Sequence, residues 1–297
     1  MHIETLKVFC DLVALQSFSL AAERNFISQS AVSQQIRALE SKFKRRLLER
    51  VRGRRDVKLT PAGEVFYRES KNVLSAYDQL NESLRGLVGK IGGAVKVATV
   101  YSVGLHEMPV KVSEFMLKFP SAKIDLEYSR TTKVIRDVLS GTVELGVIAF
   151  PEPRRGLTLV QMPPSRLVLI CPPDHKFASK AKVKASDLKG QDFVHFERDT
   201  PTRKAIDKIL KAKAVEVNKV AEFDNIETIK RAVEVGFGIA IMPLPSVSDE
   251  FRTGRVAVIE LSEKEWVRPV GVLFRSDRSL SLAAKKFVQI LETPEAV

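Results

Sequence analysis

The sequence predicts a multidomain protein: an all-α N-terminal domain built as a winged helix-turn-helix, a long linker helix, and a larger α/β C-terminal domain. Three observations carry this. Apolar residues recur at helical spacing through the first sixty positions and lead into a cationic turn. A single apolar seam then runs for about thirty residues. From Ala94 onward, strand-like and helix-like segments alternate.

Composition narrows the class. A chain of 297 residues suits two globular units and a connector. Its 44% hydrophobic and 28% charged residues are ordinary for a soluble globular protein and unlike a disordered one. A formal net charge of +12 favours an anionic partner: nucleic acid, an acidic membrane surface or an acidic ligand. Cys10 and Cys171 have no CxxC spacing and no histidine cluster nearby, which argues against a zinc site or a disulfide framework and suits a reducing cytosol. The opening segment carries Glu4, Lys7 and Asp11 and lacks the unbroken apolar stretch of a secretory signal. No segment reaches the roughly 20 apolar residues of a membrane span. The expectation is a cytoplasmic protein without metal, cofactor or membrane partner.

Leu6, Phe9, Cys10 and Val13 predict a first amphipathic helix. Ser17 or Ser19 is placed to cap a second, short helix over Leu20 to Asn25, with small Ala21 and Ala22 at a tight helix crossing. Ser28 is the cap of a third helix running to about Phe43, whose buried stripe is Val32, Ile36, Leu39 and Phe43. The other face of that helix carries Gln29, Ser30, Ser33, Gln34 and Arg37, side chains of the kind a recognition helix presents to base edges in the major groove. A merely solvated polar face is the plain alternative. From Arg37 to Lys58 ten basic residues face three acidic ones, and Arg52-Gly53-Arg54-Arg55 reads as a turn that presses cations on a phosphate backbone.

The stretch SFSLAAERNFISQSAVSQQIRALESKF, followed by LLERVRGRRDVKLTPAGE, resembles the N-terminal signature of LysR-type transcriptional regulators. Two positions depart from that pattern: Lys44 stands where the family usually has glycine, and Leu48 where it often has phenylalanine. The resemblance implies a protein that binds double-stranded DNA at an operator, associates with itself as a dimer and then a tetramer that bends DNA, responds to a small-molecule effector and has RNA polymerase as a further partner.

Thr60-Pro61 fits a cap followed by proline at the first helical position. Phe66, Val73, Tyr77, Leu80, Leu84, Leu87 and Ile91 then form an a/d-type seam to about Lys90. Such a seam is buried on its own domain or on a second copy, and the resemblance favours the second copy. Gly92-Gly93 is expected to end the helix as a flexible joint. The domains expected are thus 1–60, 61–93 and 94–297.

In the C-terminal part, strands are expected at Val95 to Val100, Ile124 to Tyr128, Leu145 to Ala149, Arg166 to Cys171, Asp192 to Phe196, Val215 to Phe223, Ile239 to Met242 and Pro269 to Phe274. Helices are expected at Leu105 to Phe119, Lys133 to Ser140, Pro201 to Lys211, Ile226 to Val235 and Leu280 to Leu291. The segments around Phe119-Pro120, Gly141 to Val147 and Val235 to Ala240 are similar to the effector-binding part of the same family, which has the fold of periplasmic binding proteins. That resemblance implies two lobes, 94–161 with 268–297 and 162–267 between them. Ligands bind at the carboxyl ends of strands in open α/β sheets. Applied here, the rule brings Tyr101, Ser102, Arg130, Thr131, Arg198, Thr200, Pro201 and Asn225 to one cleft. Helix starts and two arginines there favour an anionic metabolite, although Thr and Asn at helix starts also serve as plain caps.

Three other readings compete. His2, His106, His175 and His195 form no HExxH pattern, and no GxSxG elbow or GxxxxGK[ST] loop is present, so an enzyme has little support. A solute-binding protein would need export, where this chain has a cationic helical domain. A thiol sensor usually needs two cysteines able to pair in the sensing domain, and only Cys171 lies there. Regulation by the Cys171→Ser variant, read from a promoter fusion, is therefore expected to match the native protein; loss of the response would restore thiol sensing.

Overall fold

The computed structural model describes residues 2–49, 57–86 and 91–294. The chain divides into two compact units, residues 1–90 with 140–142 and residues 91–139 with 143–297.

In the first unit, α1 (Ile3–Leu15) buries Leu6, Val8, Phe9 and Leu12. Cys10 and Val13, expected on the buried face, are half-buried at its edge. The second helix, α2 (Phe18–Arg24), starts two residues earlier than expected because Ser17, not Ser19, is the cap, accepting from the Leu20 N–H at 3.3 Å. Asp11 joins the two helices through the Asn25 side-chain amide at 2.9 Å and Arg24 at 3.3 Å. Ser28 caps α3 (Gln29–Phe43), accepting from Ala31 N–H at 3.1 Å. Val32, Ile36 and Leu39 are buried as the spacing requires. Phe43 is not: it is 43% exposed, one turn past the core, with its ring edge-on to Phe66 at 5.1 Å.

Lys44 ends α3 in the left-handed region, with φ +50°. That conformation brings Cβ against the following carbonyl and costs a lysine about 1 kcal/mol that glycine escapes. The chain then returns as a hairpin stem. Glu40 accepts from two successive backbone N–H groups, Leu47 at 2.8 Å and Leu48 at 3.3 Å. Leu48 and Leu59 bridge antiparallel, and Glu49 N–H donates to Lys58 C=O at 2.9 Å. Arg52, Arg54 and Arg55 lie outside the described residues.

Thr60 caps α4 (Pro61–Gly86): its hydroxyl donates to Arg46 C=O at 2.6 Å and accepts from Gly63 N–H at 3.0 Å. Helix and stem approach so closely here that a Cβ on Gly63 would stand 2.0 Å from the Leu47 carbonyl oxygen. Phe66 packs on Phe9 at 5.0 Å, which docks the start of α4 on α1. Further along, Val73, Tyr77, Leu80 and Leu84 are between 44% and 56% exposed, an apolar stripe without cover in the single chain. Leu87 lies outside the described residues.

The second unit opens with β1 (Gly92–Thr99). Gly92 and Gly93 are therefore no joint; they pair with Ser121 and Ala122, so the sheet begins two residues before the expected boundary. A single helix expected at 105–119 is two, α5 (Tyr101–His106) and α6 (Met108–Lys118), with Pro109 in the first turn of α6, where its missing N–H does no harm. Next come β2 (Ser121–Tyr128), α7 (Thr131–Leu139) and β3 (Leu145–Ala149). The strand expected from Arg166 starts far earlier: β4 runs Leu157–Cys171. Then follow β5 (Lys182–Val183), β6 (Asp192–Phe196), α8 (Pro201–Ala212), β7 (Asn218–Phe223), α9 (Ile226–Glu234) and β8 (Ala240–Pro243). The chain closes with α10 (Ser248–Arg252), β9 (Ala257–Leu261), β10 (Val267–Arg275) and α11 (Leu282–Glu292). Three of these, β5, α10 and β9, were not expected; two are too short to carry a period.

The strands make two lobes. In the first, β2, β1 and β3 are parallel, β10 runs antiparallel to β3, and the first part of β4 pairs antiparallel with β10 and so points the same way as β3. In the second, the remainder of β4 pairs β8 and β9, while β6 and β7 pair in parallel. Each lobe has its own apolar core. The chain crosses twice between them, along β4 and into β10.

Gly63→Ala is expected to lower the stability of the first unit by about 2 kcal/mol, by overpacking against backbone. Lys44→Gly should raise it by about 0.5–1 kcal/mol. Urea unfolding followed by circular dichroism reads both.

Candidate nucleic-acid interface and ligand cleft

On α3, Gln29, Ser30, Gln34 and Arg37 are exposed and Ser33 is half-buried. Helical spacing puts Ser30, Ser33, Gln34 and Arg37 on the face away from Val32, Ile36 and Leu39, whereas Gln29, two turns before Ile36, is exposed because it is the first residue of the helix. Ser30 Oγ lies 2.8 Å from the capping Ser28 Oγ, so the start of the helix holds a small hydroxyl cluster. Beside this face, Arg37, Lys42, Lys44, Arg45, Arg46 and Lys58 are all exposed, and among the described residues none of the six makes an ion pair. Unneutralised cations next to exposed hydrogen-bonding side chains are what a polyphosphate duplex requires. Phe26, in the turn before α3, is 95% exposed at φ +54°. Sequence reasoning passed over it because an aromatic residue between helices reads as core.

The second unit has a cleft of about 560 Å³ between its lobes. Tyr101, Ser102, Arg130, Thr131, Thr200 and Pro201 all line it, together with an apolar floor that includes Ile148, Phe150 and Phe196. Tyr101 stacks on Tyr128 with ring centroids 5.8 Å apart. Thr200 lines the cleft with its hydroxyl already engaged: it donates to Glu197 C=O at 2.8 Å and accepts from Arg203 N–H at 3.3 Å.

Two expected residues stand elsewhere. Arg198 lies at a separate depression with His195, Arg203 and Lys219, its backbone N–H donating to Glu222 at 2.9 Å. Asn225 is the cap of α9; its Oδ1 turns back to accept from Glu227 N–H at 2.7 Å, while its neighbours Asp224 and Ile226 face the cleft. The strand-end rule places a residue near a cleft without deciding where its side chain turns.

Sequence reasoning also missed several charges. Arg154, Lys204 and Lys208 line the cleft, as do Glu152, Glu197, Asp199 and Asp224. With Arg130, four cations face four carboxylates. The Arg130 guanidinium reaches across to Glu197 at 3.4 Å, Asp199 at 3.6 Å and Asp224 at 3.8 Å. It is 64% exposed, so these pairs are screened and each is worth at most about 1 kcal/mol. A ligand can exchange for them.

Both thiols are buried enough to resist ionisation: burial pushes Cys171 up to about 11 and Cys10 up to about 12. Burial, helped by the charge of Arg203, holds His195 down to about 4. Among the described residues no cluster of three or more His, Cys, Asp or Glu is placed to hold a metal ion, and no helix is long and apolar enough to cross a membrane.

Residues 3–64 match the family model described as bacterial regulatory helix-turn-helix protein, lysR family, and residues 89–294 match that of the LysR substrate binding domain. The chain belongs to the LysR family of DNA-binding transcription regulators, with a helix-turn-helix domain and an effector-binding domain. It is 30% identical over 97% of its length, and 96% of the relative's, to a probable RuBisCO transcriptional regulator of Cyanidioschyzon merolae. It is 27% identical to the HTH-type transcriptional activator CmpR of Synechocystis, over 97% of this chain and 94% of that one. Its fold matches a full-length OxyR variant from Pseudomonas aeruginosa with a TM-score of 0.75 at 21% identity, covering 98% of this chain and 93% of that one. It also matches full-length CbnR in complex with its target DNA, with a TM-score of 0.70 at 20% identity, covering 98% and 99% of the two chains.

Asn225→Ala is expected to lower the stability of the second unit by about 1 kcal/mol, the value of a lost cap. Arg198→Ala should change it by less than about 0.5 kcal/mol. Emission of Trp266, the single tryptophan, follows both in denaturant.

Proposed function

We propose that this regulator reads an operator with α3, grips the flanking backbone with its hairpin, and is controlled by a small anionic co-inducer in the cleft between its lobes. Gln29, Ser30, Ser33, Gln34 and Arg37 meet base edges. Arg52, Arg54 and Arg55 meet phosphates or an adjacent minor groove. The observation that carries the reading is the exposed polar face of α3 flanked by six unpaired cations among the described residues. The anionic character of the co-inducer rests on Arg130, Arg154, Lys204 and Lys208 in the lining, of which Arg130 holds its present partners only through exposed pairs.

The uncovered stripe of α4 supports self-association through that helix, which pairs two recognition helices on a two-fold-symmetric site. On this reading the chain works in the cytoplasm as a dimer of dimers and meets RNA polymerase at the promoter. Residues 1–60 serve DNA, 61–93 association and 94–297 the effector, through lobes 94–161 with 268–297 and 162–267.

Fluorescence anisotropy on the DNA upstream of its own gene, against scrambled DNA across a salt series, tests the division of roles. Arg54→Ala should weaken binding to every sequence and flatten the salt slope by about one unit. Gln29→Ala or Arg37→Ala should change sequence preference by about 1–3 kcal/mol. A uniform loss from all three would contradict it. For the cleft, organic acids should raise the melting temperature; a response to neutral or cationic compounds alone would defeat the anionic reading.

A further inference from the structure

Arg268 lies in β10 opposite Ser165 of β4, where both strands pass between lobes, and none of its side chain is exposed. Its Nε donates to Ser165 Oγ at 3.0 Å and its Nη1 to Ser102 Oγ at 3.0 Å, and Nη2 pairs with the carboxylate of Glu107 at the junction of α5 and α6. Burial pulls the guanidinium down to about 9, still above neutral pH, so the group remains a cation. A buried charge of this kind persists only where its donors are satisfied. Glu107 balances the charge and Ser165 belongs to the crossing itself. Ser102 is different, because it lines the cleft.

A guanidinium donates and never accepts, whereas a hydroxyl has one proton to give and two lone pairs. With Arg268 donating to it, Ser102 must send its own proton elsewhere. Among the described residues the Ser102 hydroxyl makes no other hydrogen bond. We propose that Arg268 is a positioning residue: it fixes Ser102 as a donor into the cleft, so the ligand atom seated there is an acceptor oxygen, and it ties that contact to the two crossing strands. The inference rests on the reading of the cleft as a ligand site.

The chain carries its own reporter. Trp266 precedes Arg268 by two residues, is buried at 3% exposure, and donates from Nε1 to Glu263 at 2.8 Å. The full-length protein is titrated with two acids, succinate and benzoate, and with their donor-only counterparts, 1,4-diaminobutane and benzylamine. Calorimetry gives the affinity and Trp266 emission reads the crossing. The variants are Ser102→Ala, Arg268→Lys and the double. Lysine keeps a cation beside Glu107 without the fork that reaches both serines.

An acid is expected to bind the native chain and shift the Trp266 emission. Its Kd should rise about tenfold in either single variant and no further in the double, because the two residues act through one contact. Without ligand, Ser102→Ala should melt lower than the native chain, since buried Nη1 loses its acceptor. If acids bind and the variants are indifferent, or their losses add, this inference fails alone. If the amines bind instead, the acceptor assignment fails. If nothing binds the native chain, the ligand reading of the cleft fails and takes the inference with it. An unchanged melting temperature in Ser102→Ala defeats the Arg268 contact whatever the ligand, including where Arg268→Lys does not fold.

Discussion

Strand β4 must serve two sheets with one backbone. From Leu157 to Arg166 it bonds to β10, and from Leu167 to Cys171 it bonds to β8 and β9. Its partner across the gap is β10, whose register slips between Arg268 and Val270. Such an irregularity bends and twists the strand that contains it, and here it falls at the passage from one lobe to the other. The carboxyl ends of the parallel strands, and with them Tyr101, Ser102, Arg130 and Thr200, face each other at a separation that this pair of crossings sets. The 560 Å³ cleft is the space left between two cores that share a spine.

Much of this was legible because burial imposes periods. Leu145–Ala149 is buried at every position and reads as an apolar run; the helical stripe of α3 reads as Val32, Ile36 and Leu39. The errors have physical causes as well. Gly92 and Gly93 punctuate, so they read as a joint, yet a glycine pair can also open a strand when its neighbour supplies the hydrogen bonds. Phe43 continues the arithmetic of its stripe past the end of the core. At the cleft, the strand-end rule located Tyr101, Ser102, Arg130, Thr131, Thr200 and Pro201 but said nothing of side-chain direction, which is why Arg198 and Asn225 turn away. Lys204 and Lys208 reach the lining from the body of α8, so tertiary packing alone decides their facing. Arg268 was invisible in the sequence: it stands just before the strand expected from Pro269, and nothing in the pattern there marks an arginine as buried.

Charge is partitioned between the units in a way the net value of +12 conceals. Beside α3 the described cations stand without carboxylate partners, and the field there is open to a large polyanion. In the cleft, four cations and four carboxylates meet, and Arg130 is shared among three of the carboxylates. The first arrangement suits contact along a line of repeating charge. The second suits a small solute whose arrival rearranges pairs that were cheap to break.

Glu40 gives the first unit a property beyond stability. One of its carboxylate oxygens holds two successive amides at the base of the hairpin while its own backbone belongs to α3. Thr60 and the close passage at Gly63 then lock the same stem to the start of α4. The helix α3, the hairpin base and the start of α4 are thereby fastened to one another at a single point. Leu47 is held from both sides, its N–H donating to Glu40 of α3 and its carbonyl accepting from the Thr60 N–H at the start of α4, so a shift of either helix at this point strains the other.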